Sequence, residues 1–340
     1  MTLPAARAPQ PSPGAFLELV HGYRLPMLII SLEALEICTV LDRGPAMADE
    51  VAAVCGLPPR AVRALLDACV AGGLLEKAGE RYANATLADR FLVRGRPGYL
   101  GHSVRLAARL YRMWADLPRA VGAGRPVAEP PERLAVSDPA FFREFLLGLH
   151  EGALPLAERV AERLDLSGRT RLLDVGGRVG TYDIVLAGRY PDLEAVLFDL
   201  PDVLALAREV VAGAGLVDRI TLRAGDYEAD PFDGSYDVVL FSRVLRTESR
   251  AGARRLLEKG REALVPGGLV AIVEDLLEES RTAPAALAIQ NLTMLLMFED
   301  GALFSAAELR GLLGEAGFGE PSITRLSSIT PYSLVVAQRV

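Results

Sequence analysis

The chain has 340 residues, 51% of them hydrophobic and 24% charged, and a net charge of −7. That length supports two domains with sizeable cores, and the composition is that of a folded globular protein rather than a disordered one. The acidic balance argues against a duplex-binding protein, whose phosphate contacts need a basic face.

Residues 1–13 carry four prolines and no apolar period, and read as a flexible tail. From Phe16 to Leu41 the pattern is helical and almost without a polar face. Such a helix is buried, either in a large core or against a partner subunit. The apolar run Pro26–Ile30 is soon interrupted by Glu33 and Glu36. Neither a signal peptide nor a membrane span is therefore expected, and a cytoplasmic location is the default. Cys38, Cys55 and Cys69 contain no CxxC pair; they read as buried thiols, with no disulfide frame and no metal site.

A helix over Met47–Cys55, a turn at Gly56–Pro59 and a helix over Arg60–Val70 follow. Gly72–Gly73 and a two-stranded wing over Leu74–Ala85 complete a winged helix-turn-helix. Such a module either reads DNA or serves dimerisation. Arg60 and Arg63 are accompanied by Asp49, Glu50 and Asp67, so the dimerisation use is expected, without nucleic acid. The first domain then spans 14–120. Val121–Ser137 is dense in Gly, Pro and Glu and reads as a loop, and Phe141–Leu164 as a helix with Phe142, Phe145, Leu146, Leu149 and Leu154 at helical spacing. Together 121–166 form a linker with connecting helices.

From 167 to 340 short apolar runs alternate with amphipathic helices. The strands are Arg171–Val175, Leu193–Phe198, Ile220–Ala224, Asp237–Phe241 and Leu269–Glu274. This rhythm predicts an α/β domain, a mostly parallel sheet with helices on both faces. Ser322–Leu326 and Tyr332–Ala337 break it as an antiparallel hairpin on one edge. The first strand runs into Asp174-Val-Gly-Gly-Arg-Val-Gly180, with a helix from about Thr181. Such a loop lets backbone approach a nucleotide at a helix N-terminus, and ligands in these sheets sit beyond the strands' C-terminal ends. Asp199 and Asp226 follow the next two strands, where ribose and adenine call for acceptors.

Asp174–Gly180, Phe198-Asp-Leu-Pro-Asp-Val203, Gly225-Asp-Tyr227 and Pro266-Gly-Gly268 together resemble the successive motifs of the S-adenosylmethionine-dependent small-molecule O-methyltransferases. The likeness is to the dimeric branch with plant phenolic, acetylserotonin and anthracycline-tailoring enzymes and the bacteriochlorophyll C-methyltransferase. It covers nearly the whole chain from Phe16. It implies a Rossmann-like seven-stranded methyltransferase domain, a mainly helical winged-helix dimerisation domain, and a homodimer. S-adenosylmethionine is the implied cofactor. Asp174 would face its methionyl amine, Asp199 would hold the ribose hydroxyls, Asp226 with Tyr227 would frame the adenine, Ser242 would lie near the methionyl end, and Gly176, Gly180 and Leu200 would be further cofactor-binding residues. The small-molecule acceptor would meet Asn291, Met294, Met297 and Phe298, on the helix after the fifth strand; methionine adapts to flat rings but at this spacing is as readily core.

Two positions depart from the family. Arg178 stands where the loop normally has glycine; it either points outward with cofactor binding kept, pairs with the cofactor's carboxylate, or fills the nucleoside pocket. Arg246 stands at the place of the base histidine and cannot take a proton near neutral pH. Glu274 corresponds to one family carboxylate. The other, expected near Ser305, is missing, and Glu308 reads as an ordinary helix residue. His21, His102 and His150 lie outside the α/β core.

Three mechanisms remain. An acidic acceptor is methylated by approximation, with Arg243 or Arg246 stabilising its anion. Alternatively Glu274 or Glu248 acts as base after burial raises its pKa. In the third, the fold performs another tailoring reaction, such as hydroxylation, decarboxylation or cyclisation, or serves as a partner subunit. The leading expectation is methyl transfer to an aromatic or polyketide-like metabolite; a transcriptional regulator is the rival from another class.

Overall fold

The computed structural model describes residues 12–129, 131–326 and 332–340. The expected tail lies outside them except for Ser12, whose hydroxyl accepts from Ala15 N at 3.2 Å, and Pro13. The chain divides into two compact units. One reaches to Arg112 and includes Leu147–Glu151; the other comprises Met113–Leu146 and Gly152–Val340.

In the first unit, the single helix expected over Phe16–Leu41 is three: Pro13–Val20, Arg24–Ala34 and Ile37–Leu41. The chain turns at His21–Tyr23, around Gly22, and again at Glu36, which takes a left-handed φ of 54°. By length and composition Pro13–Ala34 is apolar enough to cross a membrane, contrary to expectation, and only 6% of its most apolar stretch is buried. The turn, however, divides it into helices of 8 and 11 residues, each short of the roughly 20 that a bilayer requires. Phe16, Leu17, Leu19, Val20, Tyr23 and Leu25 are exposed in the single chain.

The winged module follows the sequence closely. Helix Ala48–Cys55 ends on Gly56 with φ 66°, a left-handed cap that suits glycine, and Pro59–Ala71 begins on a proline. The wing, Leu75–Ala78 and Arg81–Asn84, gains a third short strand, Ala46–Met47. Arg63 bonds Asp49 and Glu80, each at 3.3 Å, and Lys77 bonds Asp67 at 2.8 Å. Arg63 and Lys77, cations of the second helix and wing, are thus matched by carboxylates.

In the second unit, the stretch 121–137 expected as a loop holds the end of helix Leu117–Ala123 and the whole of helix Pro131–Ser137, which begins on a proline, where its missing N–H costs nothing. Helix Pro139–Arg163 follows. The sheet has seven strands, numbered here β1 (Arg171–Val175), β2 (Glu194–Asp199), β3 (Ile220–Ala224), β4 (Tyr236–Ser242), β5 (Leu264–Asp275), β6 (Ser322–Arg325) and β7 (Tyr332–Gln338). Their order is β3-β2-β1-β4-β5-β7-β6. β7 runs antiparallel between β5 and β6, and the β1–β5 pairs are parallel. The turn expected between β6 and β7 lies outside the described residues. β5 starts five residues before its expected place because Pro266-Gly-Gly268 extends the strand through an irregular register, with Gly267 at φ 76°.

Both sheet faces are covered, which explains why the strands read as unbroken apolar runs. Leu173, Val239, Phe241 and Ile272 face Leu256 and Leu312. Their neighbours Leu172, Val238, Leu240 and Val273 face Val160, Leu186 and Ala207 on the other side. The C-terminal ends of β1, β2 and β4 therefore stand between two rigid layers.

Candidate functional site

The loop after β1 is shaped by its glycines. Gly176 has φ 67°, and a Cβ there would lie 2.8 Å from Val244; Gly180 has φ 80°, and a Cβ would meet Leu197 at 2.8 Å. Both positions exclude other residues by conformation and by space. Arg178 also takes the left-handed region, φ 55°, a conformation costly for a side chain with Cβ. Its backbone N–H donates to Asp199 Oδ2 at 2.8 Å, while Leu200 N donates to Asp199 Oδ1 at 2.8 Å. Asp199, at the end of β2, thus laces the loop to the next helix. The Arg178 guanidinium is drawn below its usual pKa by burial, against the opposing field of Asp199.

A cavity opens beyond these strand ends. On one side stand Gly176, Arg178, Asp199, Leu200, Asp226 and Tyr227. On another are Phe142, Phe145, Leu146 and Phe298, and Arg243, Val244 and Thr247 complete the wall. Asp226 is exposed and closes a turn, accepting from Glu228 N at 2.8 Å. Tyr227 donates its hydroxyl to Glu248 Oε1 at 3.2 Å. Arg243 has φ 59°, holds β5 through its N–H to Val273 O at 2.9 Å, and sets its guanidinium 5.7 Å from the Tyr332 ring centre. Its Nε is buried without a hydrogen bond among the described residues.

Asp174 is fully buried, and among the described residues no N–H or O–H group donates to either carboxylate oxygen. Burial, with Asp183 and Asp199 nearby, pushes its pKa up. Ser242 is buried at the end of β4. Neither side chain lines the open cavity; Asp174 lies directly beneath Gly177, whose Cβ would come 2.5 Å from Oδ2.

Arg246 is 2% exposed and lies behind the cavity wall. Its guanidinium pairs with Asp275 and stands 3.6 Å from Glu274 Oε2, and its backbone N–H donates to Glu274 Oε1 at 3.4 Å. Although burial alone would lower it, these two carboxylates hold the Arg246 pKa above its ordinary value. Burial lifts Glu274 to about 7 despite Arg246. The expectation that Arg246 faces an acceptor anion is corrected by this enclosure. Asp275 is a carboxylate that sequence reasoning missed; its adjacency to Glu274 was the available signal. Ser305 instead caps helix Ala306–Glu315 in a capping box with Glu308, the ordinary helix residue expected.

The chain matches the O-methyltransferase domain over residues 110–319 and the O-methyltransferase dimerisation domain over residues 17–94. The chain belongs to the O-methyltransferase family. It is 35% identical over 295 residues to the 3-hydroxy-5-methyl-1-naphthoate 3-O-methyltransferase of Streptomyces sahachiroi, covering 85% of this chain and 84% of that one. It is 30% identical to the tetracenomycin polyketide synthesis 8-O-methyl transferase TcmO of Streptomyces glaucescens, covering 96% of this chain and 97% of that one. In fold it matches human N-acetylserotonin methyltransferase, solved with S-adenosylmethionine, with a TM-score of 0.88 at 24% identity over 98% and 99% of the two chains. This methyltransferase accordingly uses S-adenosylmethionine as methyl donor.

The expected acceptor wall is only partly on the cavity of this methyltransferase. Phe298 lines it. Met294 is core, packed with Leu277, Leu287 and Leu303. Asn291 accepts from Leu303 N at 2.7 Å and so fastens the following loop. Met297 faces a neighbouring polar cleft with Arg125 and Arg255. The aromatic wall comes instead from Phe142, Phe145 and Leu146, whose i, i+3, i+4 spacing was visible but was read as helix packing alone. His21, His102 and His150 belong to the first unit, and burial lowers the His150 pKa.

Proposed function

We propose that this methyltransferase acts as a homodimer and methylates an acidic hydroxyl, or a comparably ionised centre, on a flat aromatic or polyketide-like molecule. The observation that carries this reading is the cavity itself, which is acidic at one end and aromatic at the other. At the acidic end Asp199 suits the ribose hydroxyls, and Asp226 with Tyr227 suits the adenine. Asp174 holds a buried carboxyl just beneath Gly177, where its charge favours a cationic methionyl amine on the cavity side of the loop. Gly176 leaves the backbone bare where the nucleoside would press on the loop. When bound, the donor supplies an electrophilic methyl on a sulfonium.

The chain's own residues hold the acceptor and the charge. Phe142, Phe145 and Phe298 offer faces for a planar ring. Arg243 offers a cation to the acceptor's oxygen from the same wall, which supports approximation with electrostatic stabilisation among the mechanisms open. The relatives are named for methyl transfer, which favours that chemistry over another tailoring reaction. Homodimerisation is supported by the matched dimerisation domain and by the exposed apolar residues of Pro13–Val20 and Arg24–Ala34. Calorimetric titration with S-adenosylhomocysteine tests the donor site: a Kd in the micromolar range, near −8 kcal/mol, is expected, and no binding would overturn the assignment.

A further inference from the structure

Beneath the glycine loop lie two carboxyl groups to which no other described residue donates. Asp174 on β1 and Asp183, in the first turn of helix Thr181–Arg189, are both 0% exposed, and the one donor near them is Asp183's own backbone N–H. The two carboxyl groups lie within hydrogen-bond reach of one another. Two carboxylates in such contact cannot both ionise in an apolar interior, so one proton between them is the donor this arrangement has. Asp183 stands in the first turn of its helix, where a carboxylate also meets the positive end of the helix dipole.

The pair lies just behind the cavity. Gly177 covers Asp174, and its neighbours Gly176 and Arg178 form cavity wall. The groups facing the pair are Arg178 from the loop, Tyr182 from the same helix, Asp199 from β2 and Ser242 from β4. Arg178 favours ionisation of Asp174 and Asp199 opposes it. Burial pushes the Tyr182 phenol further above neutrality, and Ser242 does not titrate there. Burial pushes both carboxyls up.

We propose that Asp183 completes with Asp174 a carboxyl pair that holds one proton in the free enzyme and gives it up when the donor's ammonium settles over the glycine loop that covers the pair, coupling cofactor binding to proton release. This rests on the reading of the cavity as the S-adenosylmethionine site. The carboxylic O–H breaks, its proton passes to solvent, and the ammonium keeps its own three protons. Because the bound state carries fewer protons than the free enzyme and free ligand, affinity strengthens as pH rises through the titration of the free pair and levels off above it. Asp183 is thus a positioning residue for the donor, acting through Asp174.

The test is calorimetry of the full-length protein between pH 6 and 8, in buffers of different ionisation enthalpy. The ligands are S-adenosylhomocysteine and methylthioadenosine, which shares the nucleoside but lacks the amine. Expected is release approaching one proton with S-adenosylhomocysteine, none with methylthioadenosine, and an affinity for the former that rises by up to about tenfold per pH unit within the window. Asp183→Asn should abolish the release, with Asp183→Ser as a second variant if the first does not fold. Buffer-independent heats with S-adenosylhomocysteine, or equal release with both ligands, would overturn the proposal while leaving the donor site standing. These wild-type comparisons decide the matter without any variant. Failure of both ligands to bind would overturn the donor site and the proposal together.

Discussion

Replacing Arg178 by glycine separates the backbone's demand from the side chain's. The residue takes φ 55° in a loop whose glycines carry similar torsions. A side chain with Cβ costs about 1–2 kcal/mol in that region, and glycine would relieve this. Glycine also loses more backbone freedom on folding, about 0.5–1 kcal/mol. The bond from the residue 178 N–H to Asp199 survives the substitution, since it is a backbone bond. The net expectation is a gain between zero and about 1.5 kcal/mol, which for a domain of this size raises Tm by at most about 6 °C. Differential scanning calorimetry of both proteins without ligand reads this. A loss exceeding about 1 kcal/mol would refute it, meaning that the guanidinium's contacts outweigh the torsion. For the donor, the long Arg178 side chain lines the cavity beside Asp199 and can yield by rotation, so Arg178→Gly should change S-adenosylhomocysteine affinity by less than about tenfold, or 1.4 kcal/mol. Wild type that fails to bind, with binding restored in the glycine variant, would show instead that arginine fills the pocket.

Asp199→Ala leaves the N–H groups of Arg178 and Leu200 without their acceptor, and should weaken S-adenosylhomocysteine binding by about 1–3 kcal/mol in titration calorimetry. Arg246→Ala leaves Glu274 and Asp275 buried without their cation, and should cost about 3–5 kcal/mol in urea unfolding; a neutral result would mean the cluster is open to water. Leu19→Glu places a charge on the most exposed apolar residue of the Pro13–Val20 helix, and light scattering should find a dimer for wild type and a monomer for the variant.

What the sequence made legible follows from local rules. β1, β3 and the helix-turn-helix were readable because a short apolar run or a glycine cap has few alternatives. The split of Phe16–Leu41 was hidden, since uniform apolarity carries no phase to mark a turn at Gly22. Proline misled at Pro131, which starts a helix within the expected loop. At the site, the loop, Asp199 and Tyr227 were legible because they follow strands in order. The wall at Phe142 and Phe145, the burial of Met294, and the meeting of Asp174 with Asp183 depend on packing between distant segments, which a linear pattern does not encode.

The cluster around Arg246 restricts what this methyltransferase can accept. A histidine between two carboxylates is a base that cycles between neutral and charged forms. An arginine held by Asp275 and Glu274 is fixed in the charged form, because it stays protonated and its partners raise its pKa further. On the mechanism proposed above, the acceptor arrives ionised by its own acidity, with Arg243 on the cavity wall favouring the anion. Turnover across a series of ring-substituted phenols should therefore rise with pH to a plateau whose midpoint follows each acceptor's own pKa, and Arg243→Ala should shift those midpoints upward. A single midpoint near 7 for every acceptor, lost in Glu274→Gln, would mean that Glu274, with its pKa lifted to about 7 and its Oε2 unbonded, is the base after all.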